Sequence, residues 1–462
     1  MHLLSPLYLR AVLPWTDKTV HAGLPARWRR YEALERRSLQ QNLDEQWQSL
    51  QRLLRHAYET VPFYKQRFDA AGMDPHSFKT PEDVQRLPLL TRDDIRANYE
   101  PLRSRRFTES ELFPAATGGT TSNPVPFLRS RESLQEKNTL QLRFDAWADL
   151  YPGDKIFYVW GAVQDFAQDP SWRWRLYDRY LMRRVWAPTS LFNEQVLEGY
   201  LQMFRSFRPH AIYAYPTPLA LFCEYLRDKG GDFPRPKSVI CTAEPLFRSQ
   251  REIIESVLAC KVFEQYGARE FGMIGAECEA HAGLHINPAA AFVEYVPVPD
   301  SSEELYEVIV TDLLNYGMPL IRYRIDDCAV PRPGACSCGR GYPMMSDLAG
   351  RTTDVFYLPD GSKVPGVSLT NRVAKLIPGV EQMQVVQEKL EEIRVRYVPG
   401  EGFKASDLDF LSEKLRNFFP PPVQFVYERV DQIPREKSGK TRFCICRVGG
   451  MKDQATPQAQ GD

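Results

Sequence analysis

Along the first hundred positions, apolar residues recur at helical spacing. Trp47, Leu50, Leu54 and Tyr58 fall on one helix face, and the stretch reads as mostly helical. From about residue 155 to about 330 the pattern changes. Short apolar runs at 156–159, 211–215, 239–242 and 262–266 alternate with helical periodicities, which predicts an α/β architecture with parallel strands. Residues 305–312 form a further β-branched strand candidate. Near Gly350 the pattern restarts as a small α+β unit. Strands are expected at 383–386 and 393–398, and Ser406 is placed to cap a helix carrying Leu408, Leu411 and Leu415. Pro420, Pro421 and Pro422 break that helix, and Val423, Phe425 and Tyr427 alternate as a last strand. The domains expected are therefore 1–349, with mixed and parallel sheets, and a smaller lid at 350–448. A polar tail at 449–462 without hydrophobic period is expected to be disordered.

Composition narrows the class. The chain has 462 residues, 43% hydrophobic and 26% charged, as in a soluble globular protein. Its 59 basic residues balance 59 acidic ones, which argues against a nucleic-acid partner. The apolar N-terminus is interrupted by Pro6, Arg10 and Pro14 and does not read as a signal peptide. No run reaches the length of a membrane span. A cytoplasmic location is expected, with the nine cysteines as reduced thiols or metal ligands.

The chemistry begins at Thr117-Gly118-Gly119-Thr120-Thr121-Ser122-Asn123-Pro124. Adjacent glycines free backbone N–H groups to face a ligand, and the hydroxyls add short donors. Such a loop suits nucleotide phosphates, although an ordinary glycine turn has the same composition. It is not a Walker loop, because no Gly-Lys-Ser/Thr follows. A helix is expected after it, with Leu140, Phe144, Trp147 and Tyr151 on one face. Three more segments follow in order: Tyr266-Gly267-Ala268-Arg269-Glu270, then Arg322-Tyr323-Arg324-Ile325-Asp326-Asp327, then Ser438-Gly439-Lys440.

Together these segments resemble the adenylate-forming superfamily, in its phenylacetate–CoA ligase and capsular-polysaccharide (CapK-like) branch. The resemblance spans nearly the whole chain. It implies a large AMP-binding domain with a mobile C-terminal lid, using ATP and Mg2+ to activate a carboxylic acid. Residues 117–121 would cradle the phosphates, and Glu270 would coordinate Mg2+, a hard cation suited to carboxylate oxygen. Arg269 stands where many relatives carry a small hydroxyl residue. Ala243, Glu244, Pro245, Tyr266 and Gly267 would border the adenine, with Tyr266 equally readable as a core aromatic. Asp327, or failing it Asp326, would bind the ribose hydroxyls. Arg351 would lie beside the phosphate of the adenylate, Asp354 would be the hinge, and Lys440 would bind the carboxylate and α-phosphate, with Lys437 a nearby alternative.

Cys278, His285, Cys336 and Cys338 offer thiolates and imidazole, the donor set of structural Zn2+, and relatives in this branch hold zinc at similar positions. His281 is a substitute ligand. The implied reaction yields an acyl-adenylate and then an acyl thioester, with coenzyme A or a carrier-protein phosphopantetheine arm as acceptor. Aromatic residues at 157–160 and 213–216 favour an aromatic or apolar acid. AMP transfer without a thioester, or a non-catalytic zinc scaffold, are the alternatives. A homodimer is the usual assembly in this branch.

Overall fold

In the computed structural model the described residues are 5–16, 18–117, 125–160, 176–188, 194–243, 245–298, 306–346, 355–360, 363–365, 380–400, 402–433 and 443–448. The expected tail at 449–462 lies outside them. The chain divides into two compact units. One comprises 1–295, 308–325 and 331–347, and the other comprises 296–307, 326–330 and 348–462.

The N-terminal stretch is helical, as its periodicity predicts. The helix Leu39–Thr60 starts at a capping box in which Ser38 and Gln41 satisfy each other's backbone N–H groups. It buries Leu50, Leu53 and Leu54 completely, while Trp47 and Tyr58 are half-buried. Each such leucine contributes about 2 kcal/mol of apolar burial.

A hairpin follows, β1 (Leu112–Ala116) with β2 (Pro126–Ser130). The helix Arg131–Trp147 comes directly after it, capped by the Ser130 hydroxyl. Leu140, Phe144 and Trp147 are buried as expected, but Tyr151 lies beyond the helix end, which the left-handed Asp149 carries away from the axis.

Among the described residues the dominant sheet has nine strands. Those introduced by the alternating region are β3 (Ile156–Trp160), β4 (Arg184–Pro188), β5 (Ala211–Ala214), β6 (Ser238–Thr242) and β7 (Lys261–Ala268). They lie in the order β4-β3-β5-β6-β7, all parallel. Apolar side chains leave both faces, as a covered parallel sheet requires. Phe157 and Val159 meet Phe204, Leu219 and Phe222 of the helices Glu194–Phe207 and Pro216–Lys229 on one side. Ile156, Tyr158 and Trp160 line the other. Beyond β7 the sheet turns antiparallel through β8 (Gly272–Glu277) and β9 (Leu284–Ile286). A three-stranded sheet comprises β10 (Ala291–Pro297), β11 (Tyr306–Asp312) and β12 (Tyr323–Ala329). The pairs β13 (Pro331–Arg332) and β14 (Met344–Met345) complete the large sheet at its β9 edge.

The C-terminal unit holds β15 (Val355–Tyr357) paired with β16 (Lys363–Pro365), then β17 (Val380–Lys389) and β18 (Glu392–Pro399). The helix Ala405–Arg416 buries Leu411 and Leu415 against Val385, Ile393 and Val395. It begins one residue before Ser406, with Lys404 at the cap position, because the Asp407 carboxylate accepts the Lys404 backbone N–H. After the three prolines β19 (Gln424–Arg429) runs parallel to β18. It is not the last strand. Cys444–Cys446 forms β20, parallel to β17, too short for its alternation to stand out in sequence.

Candidate active site and metal centre

The glycine loop joins the two strands of a hairpin. Thr117 N donates to Val125 O at 3.0 Å and Val125 N donates to Thr117 Oγ1 at 3.0 Å, closing the hairpin at the loop's base. Gly118, Gly119, Thr120 and Thr121 lie outside the described residues. Asn315 fastens the second strand from below, its Nδ2 donating to Leu128 O at 2.8 Å and its Oδ1 accepting from Ser130 N at 3.2 Å.

The tyrosine–glycine motif occupies the end of β7, where the parallel sheet ends. A register shift falls between Tyr266 and Gly267, a bulge of the kind that re-aims side chains beside functional sites. Gly267 is required there, because a Cβ at that position would stand 2.5 Å from Gly272 O on the facing strand. Tyr266 is 4% exposed. Glu270 sits in the β7–β8 turn and is buried, with the Tyr323 hydroxyl donating to its Oε1 at 3.4 Å. Ala243, at the end of β6, holds a left-handed φ of 70°, a conformation costly for a residue with a Cβ and often kept at functional sites. Pro245 is half-buried, and Glu244 lies outside the described residues.

Beneath Glu270 lies a residue the sequence reading missed. Lys137 Nζ donates to Glu270 O at 2.7 Å and to Asp312 Oδ2 at 2.5 Å, with both side chains of the ion pair almost wholly buried. Lys137 shares a helix face with Ser133, Leu140 and Phe144, all buried, and that spacing is the signal that marks it.

The ribose candidates Asp326 and Asp327 belong to the second unit. Asp326 has φ 64° within β12, a turn that aspartate tolerates better than most residues. Both carboxylates are half-buried. Arg351, Asp354, Lys437 and Lys440 lie outside the described residues.

The four candidate metal ligands come together. One donor atom from each of Cys278, His285, Cys336 and Cys338 lies within 4.8 Å of every other. Cys278 Sγ and Cys336 Sγ are 3.6 Å apart, and Cys338 Sγ is 3.4 Å from His285 Nε2. Tetrahedral Zn2+ with bonds of about 2.0–2.3 Å sets its ligands roughly 3.5–3.8 Å apart, so the set fits. The backbone N–H groups of Ala280 and Arg340 point at Cys278 Sγ (3.4 Å) and Cys338 Sγ (3.5 Å), favouring thiolates. Burial pushes the Cys278 thiol up to about 12. Burial also opposes the thiolate at Cys336, but hydrogen bonds from the Cys338 backbone and from the Cys338, Cys278 and Ser337 side chains outweigh it and hold that thiol below its ordinary value. Burial and the nearby Arg340 charge lower His285 to about 4, so its imidazole is neutral, the form that ligates. Trp147 packs edge-on against His285 at 5.6 Å, and Arg340 lies over the Trp147 ring. His281 does not join the cluster. Its Nδ1 lies 3.4 Å from Glu277 Oε2 and its ring lies against Phe263.

The aromatic residues separate by strand alternation. Phe157 turns to the opposite face, against Phe204 and Phe222. Tyr158 stacks on Trp186 at 4.0 Å, and Trp160 packs against Tyr213 and Tyr215. Below them runs a buried polar network that the sequence gave no reason to single out. Gln141 Nε2 and Gln265 Nε2 donate to Asp145 Oδ1 at 2.8 and 3.0 Å, and the Tyr213 hydroxyl donates to Gln265 Oε1 at 2.8 Å. Burial raises the Asp145 carboxyl to about 7, against the two amides that favour its charged form.

Comparison with known proteins agrees with this geometry. Residues 356–447 match the CapK C-terminal domain. Over 373 residues the chain is 25% identical to Protein CapK of Staphylococcus aureus, covering 80% of this chain and 81% of the relative. It is 28% identical over 333 residues to the phenylacetate-coenzyme A ligase of Thermus thermophilus, covering 68% and 71%. Among solved structures, 2-hydroxyisobutyryl-CoA ligase in its postadenylation state matches with a TM-score of 0.69 at 20% identity, over 89% of this chain and 90% of that one. The chain has the fold of the adenylate-forming CoA ligases. It is a homologue of Protein CapK and of the phenylacetate–coenzyme A ligases. No helix among the described residues is long and apolar enough to cross a membrane.

Proposed function

We propose that the chain joins an aromatic or apolar carboxylic acid to coenzyme A in two ATP-dependent half-reactions. In the first, a carboxylate oxygen attacks the α-phosphorus, the bond to pyrophosphate breaks, and an acyl-adenylate forms. In the second, the thiol sulfur attacks the acyl carbon, AMP leaves with the carboxylate oxygen, and the thiol proton passes to solvent. The observation that carries this reading is Glu270, a buried carboxylate in the turn that follows the bulged end of β7, where the parallel sheet ends, the region where open α/β sheets bind ligands.

In this reading Glu270 holds Mg2+, residues 117–121 take the triphosphate, Ala243, Glu244, Pro245, Tyr266 and Gly267 border the adenine, and Asp327 binds the ribose. Arg351 and Lys440 neutralise charge at the adenylate, and Asp354 is the hinge between half-reactions. The aromatic group of Tyr158, Trp160 and Tyr213 supports an apolar or aromatic acyl group. Cys278, His285, Cys336 and Cys338 hold one Zn2+, which pins two loops of the sheet edge and takes no part in the chemistry, since four protein ligands leave no open position.

The test is pyrophosphate release from ATP and Mg2+ across a panel of carboxylic acids, with and without coenzyme A. Acid-dependent release with a new coenzyme A thioester is the expected outcome. Release without any thioester points to a carrier-protein arm or AMP transfer, and no release with any acid overturns the reading. Lys440→Ala should lower adenylation by about 100-fold or more while leaving the melting temperature unchanged. Pyrophosphate release at the wild-type rate in that variant would remove Lys440 from the site.

A further inference from the structure

The connection from β11 to β12 begins Asp312-Leu313-Leu314-Asn315-Tyr316-Gly317-Met318, with two short polar side chains set among apolar ones. Asp312 and Asn315 are each 1% exposed. Polar groups buried that deeply are kept where they find partners. The partners of these two belong to the elements that present the candidate phosphate loop and the candidate metal carboxylate.

Asn315 grips the hairpin of the glycine loop. Its Nδ2 donates to Leu128 O at 2.8 Å and to Met318 O at 3.1 Å, and its Oδ1 accepts from Ser130 N at 3.2 Å. Beside it Met318 Sδ accepts from Leu128 N at 3.2 Å. Gly317 lies so close to the other strand that a Cβ there would stand 2.4 Å from Leu112 Cδ2. The turn thus meets both β1 and β2, the two strands that the loop joins.

Asp312 reaches the carboxylate turn through Lys137. Its Oδ1 accepts from Leu314 N at 3.1 Å and its Oδ2 from Lys137 Nζ at 2.5 Å, and the same ammonium donates to Glu270 O at 2.7 Å. The lysine stem also underlies Gly272, where a Cβ would stand 3.3 Å from Lys137 Cβ. Lys137 therefore holds the β7–β8 turn on either side of Phe271. The helix that carries Lys137 closes a ring. It starts at Ser130, whose hydroxyl accepts from Ser133 N at 3.2 Å and whose backbone N–H is the one that Asn315 binds. Ser130, Ser133, Lys137, Asp312 and Asn315 are all buried, so water does not compete for these bonds.

We infer that residues 312–318, with Lys137 as their arm, are a positioning element that fixes the glycine-loop hairpin and the Glu270 turn relative to each other, so that a triphosphate and its divalent cation are met together. The inference rests on the ligase reading for the nucleotide and the cation. None of these residues touches the ligand in this role. Asn315 acts through Leu128 and Ser130, and Asp312 acts through Lys137 on Glu270. Partners of this kind orient metal ligands and commonly matter to affinity by an order of magnitude.

The experiment is calorimetric titration of the full chain with ATP, once without added divalent cation and once with saturating Mg2+, alongside thermal melts. Lys137→Met combined with Asp312→Leu removes both buried charges at once and so keeps the fold. Its ATP affinity should fall about 10-fold with Mg2+ and less than about twofold without it, because only the carboxylate turn is released. Lys137→Arg, which keeps the charge but changes its reach, should show the same cation-dependent loss at about threefold. Asn315→Ala should lower both affinities about 10-fold, since loop donors meet phosphate with or without the cation. If that variant does not fold, Met318→Leu removes the sulfur acceptor at nearly constant volume and should lower both about threefold.

An equal loss in both titrations for the lysine variants would show a merely structural role and overturn the inference. Wild-type affinity in the lysine variants or in the folded hairpin variant overturns it too. A wild type that binds no ATP removes it together with the ligase reading. Otherwise the two fail separately. Cation-dependent loss in the lysine variants without pyrophosphate release on any acid keeps the positioning element and removes the ligase, whereas thioester formation with unchanged ATP affinities in the variants does the reverse.

Discussion

Two buried sites in the same unit deal with charge in opposite ways. Under Glu270, Lys137 and Asp312 meet at 2.5 Å and neutralise each other, and Lys137 spends a second hydrogen on the Glu270 carbonyl. At the sheet edge, Cys278, Cys336, Cys338 and His285 bring four electron-pair donors together, and the Arg340 guanidinium beside Cys338 is shared with Glu279. The first site is complete as the chain supplies it. The second brings four electron-pair donors together with only one guanidinium at its rim, itself paired with Glu279, and so leaves room for a cation at its centre. Burial alone does not distinguish a structural ion pair from a ligand site, whereas the balance of donors and acceptors inside it does.

The comparison breaks most visibly if the metal is taken away. Native protein should carry about one Zn2+ per chain, and Cys278→Ser should lose it and unfold at a temperature lower by about 10 °C or more. Elemental analysis with thermal melts reads both. A zinc-free native protein with wild-type stability would make the cluster an ordinary group of reduced cysteines. A chelator should have no such effect on the Lys137–Asp312 pair, which needs no ion.

Next in size is Lys137→Ala, which strands a buried aspartate and should cost about 3–5 kcal/mol in urea unfolding. Lys137→Met combined with Asp312→Leu should recover most of that loss, because the pair then disappears rather than being halved. A single variant as stable as wild type would mean that Asp312 is solvated in solution.

The smallest effect sharpens the contrast with a third kind of buried charge. Asp145 has amide donors but, among the described residues, no paired cation, and its carboxyl rises from an ordinary value near 3.8 to about 7. The folded chain therefore holds a proton that the unfolded chain releases. Its contribution to stability is fully present below about pH 4 and is lost as pH rises to about 7. Asp145→Asn keeps the carbonyl oxygen that Gln141 and Gln265 address and cannot ionise. It should match wild type near pH 4 and exceed it by up to about 3 kcal/mol at pH 8, read from unfolding midpoints across the range. An equal difference at both pH values would show that the carboxyl titrates normally.

Much of this architecture was legible before any coordinates. The strands β3, β5, β6 and β7 fall within a residue or two of their apolar runs, apart from the overhang of β7 into the glycine motif. β4 was missed, because Arg184 and Pro188 leave only three apolar residues between them. The four sulfur and nitrogen donors stood out by residue type, yet Cys278 and Cys336 are 58 positions apart and only the fold makes them neighbours. The choice of His285 over His281 was likewise decided in three dimensions, where Glu277 engages His281 instead.

The sequence by itself determined the periodicities, and with them the long helices and most strands of the parallel sheet. These are local, since a period of 2.0 or 3.6 residues is set by backbone geometry and by which side must be apolar. It also displayed ordered motifs that resemble those of carboxylate-activating enzymes. Tertiary structure alone decided which polar residues go inside. Lys137 meets Asp312 across 175 residues, and Gln265 meets Asp145 across 120. No local rule reaches those pairs, because a buried charge or amide is stable only through the partner that folding brings to it.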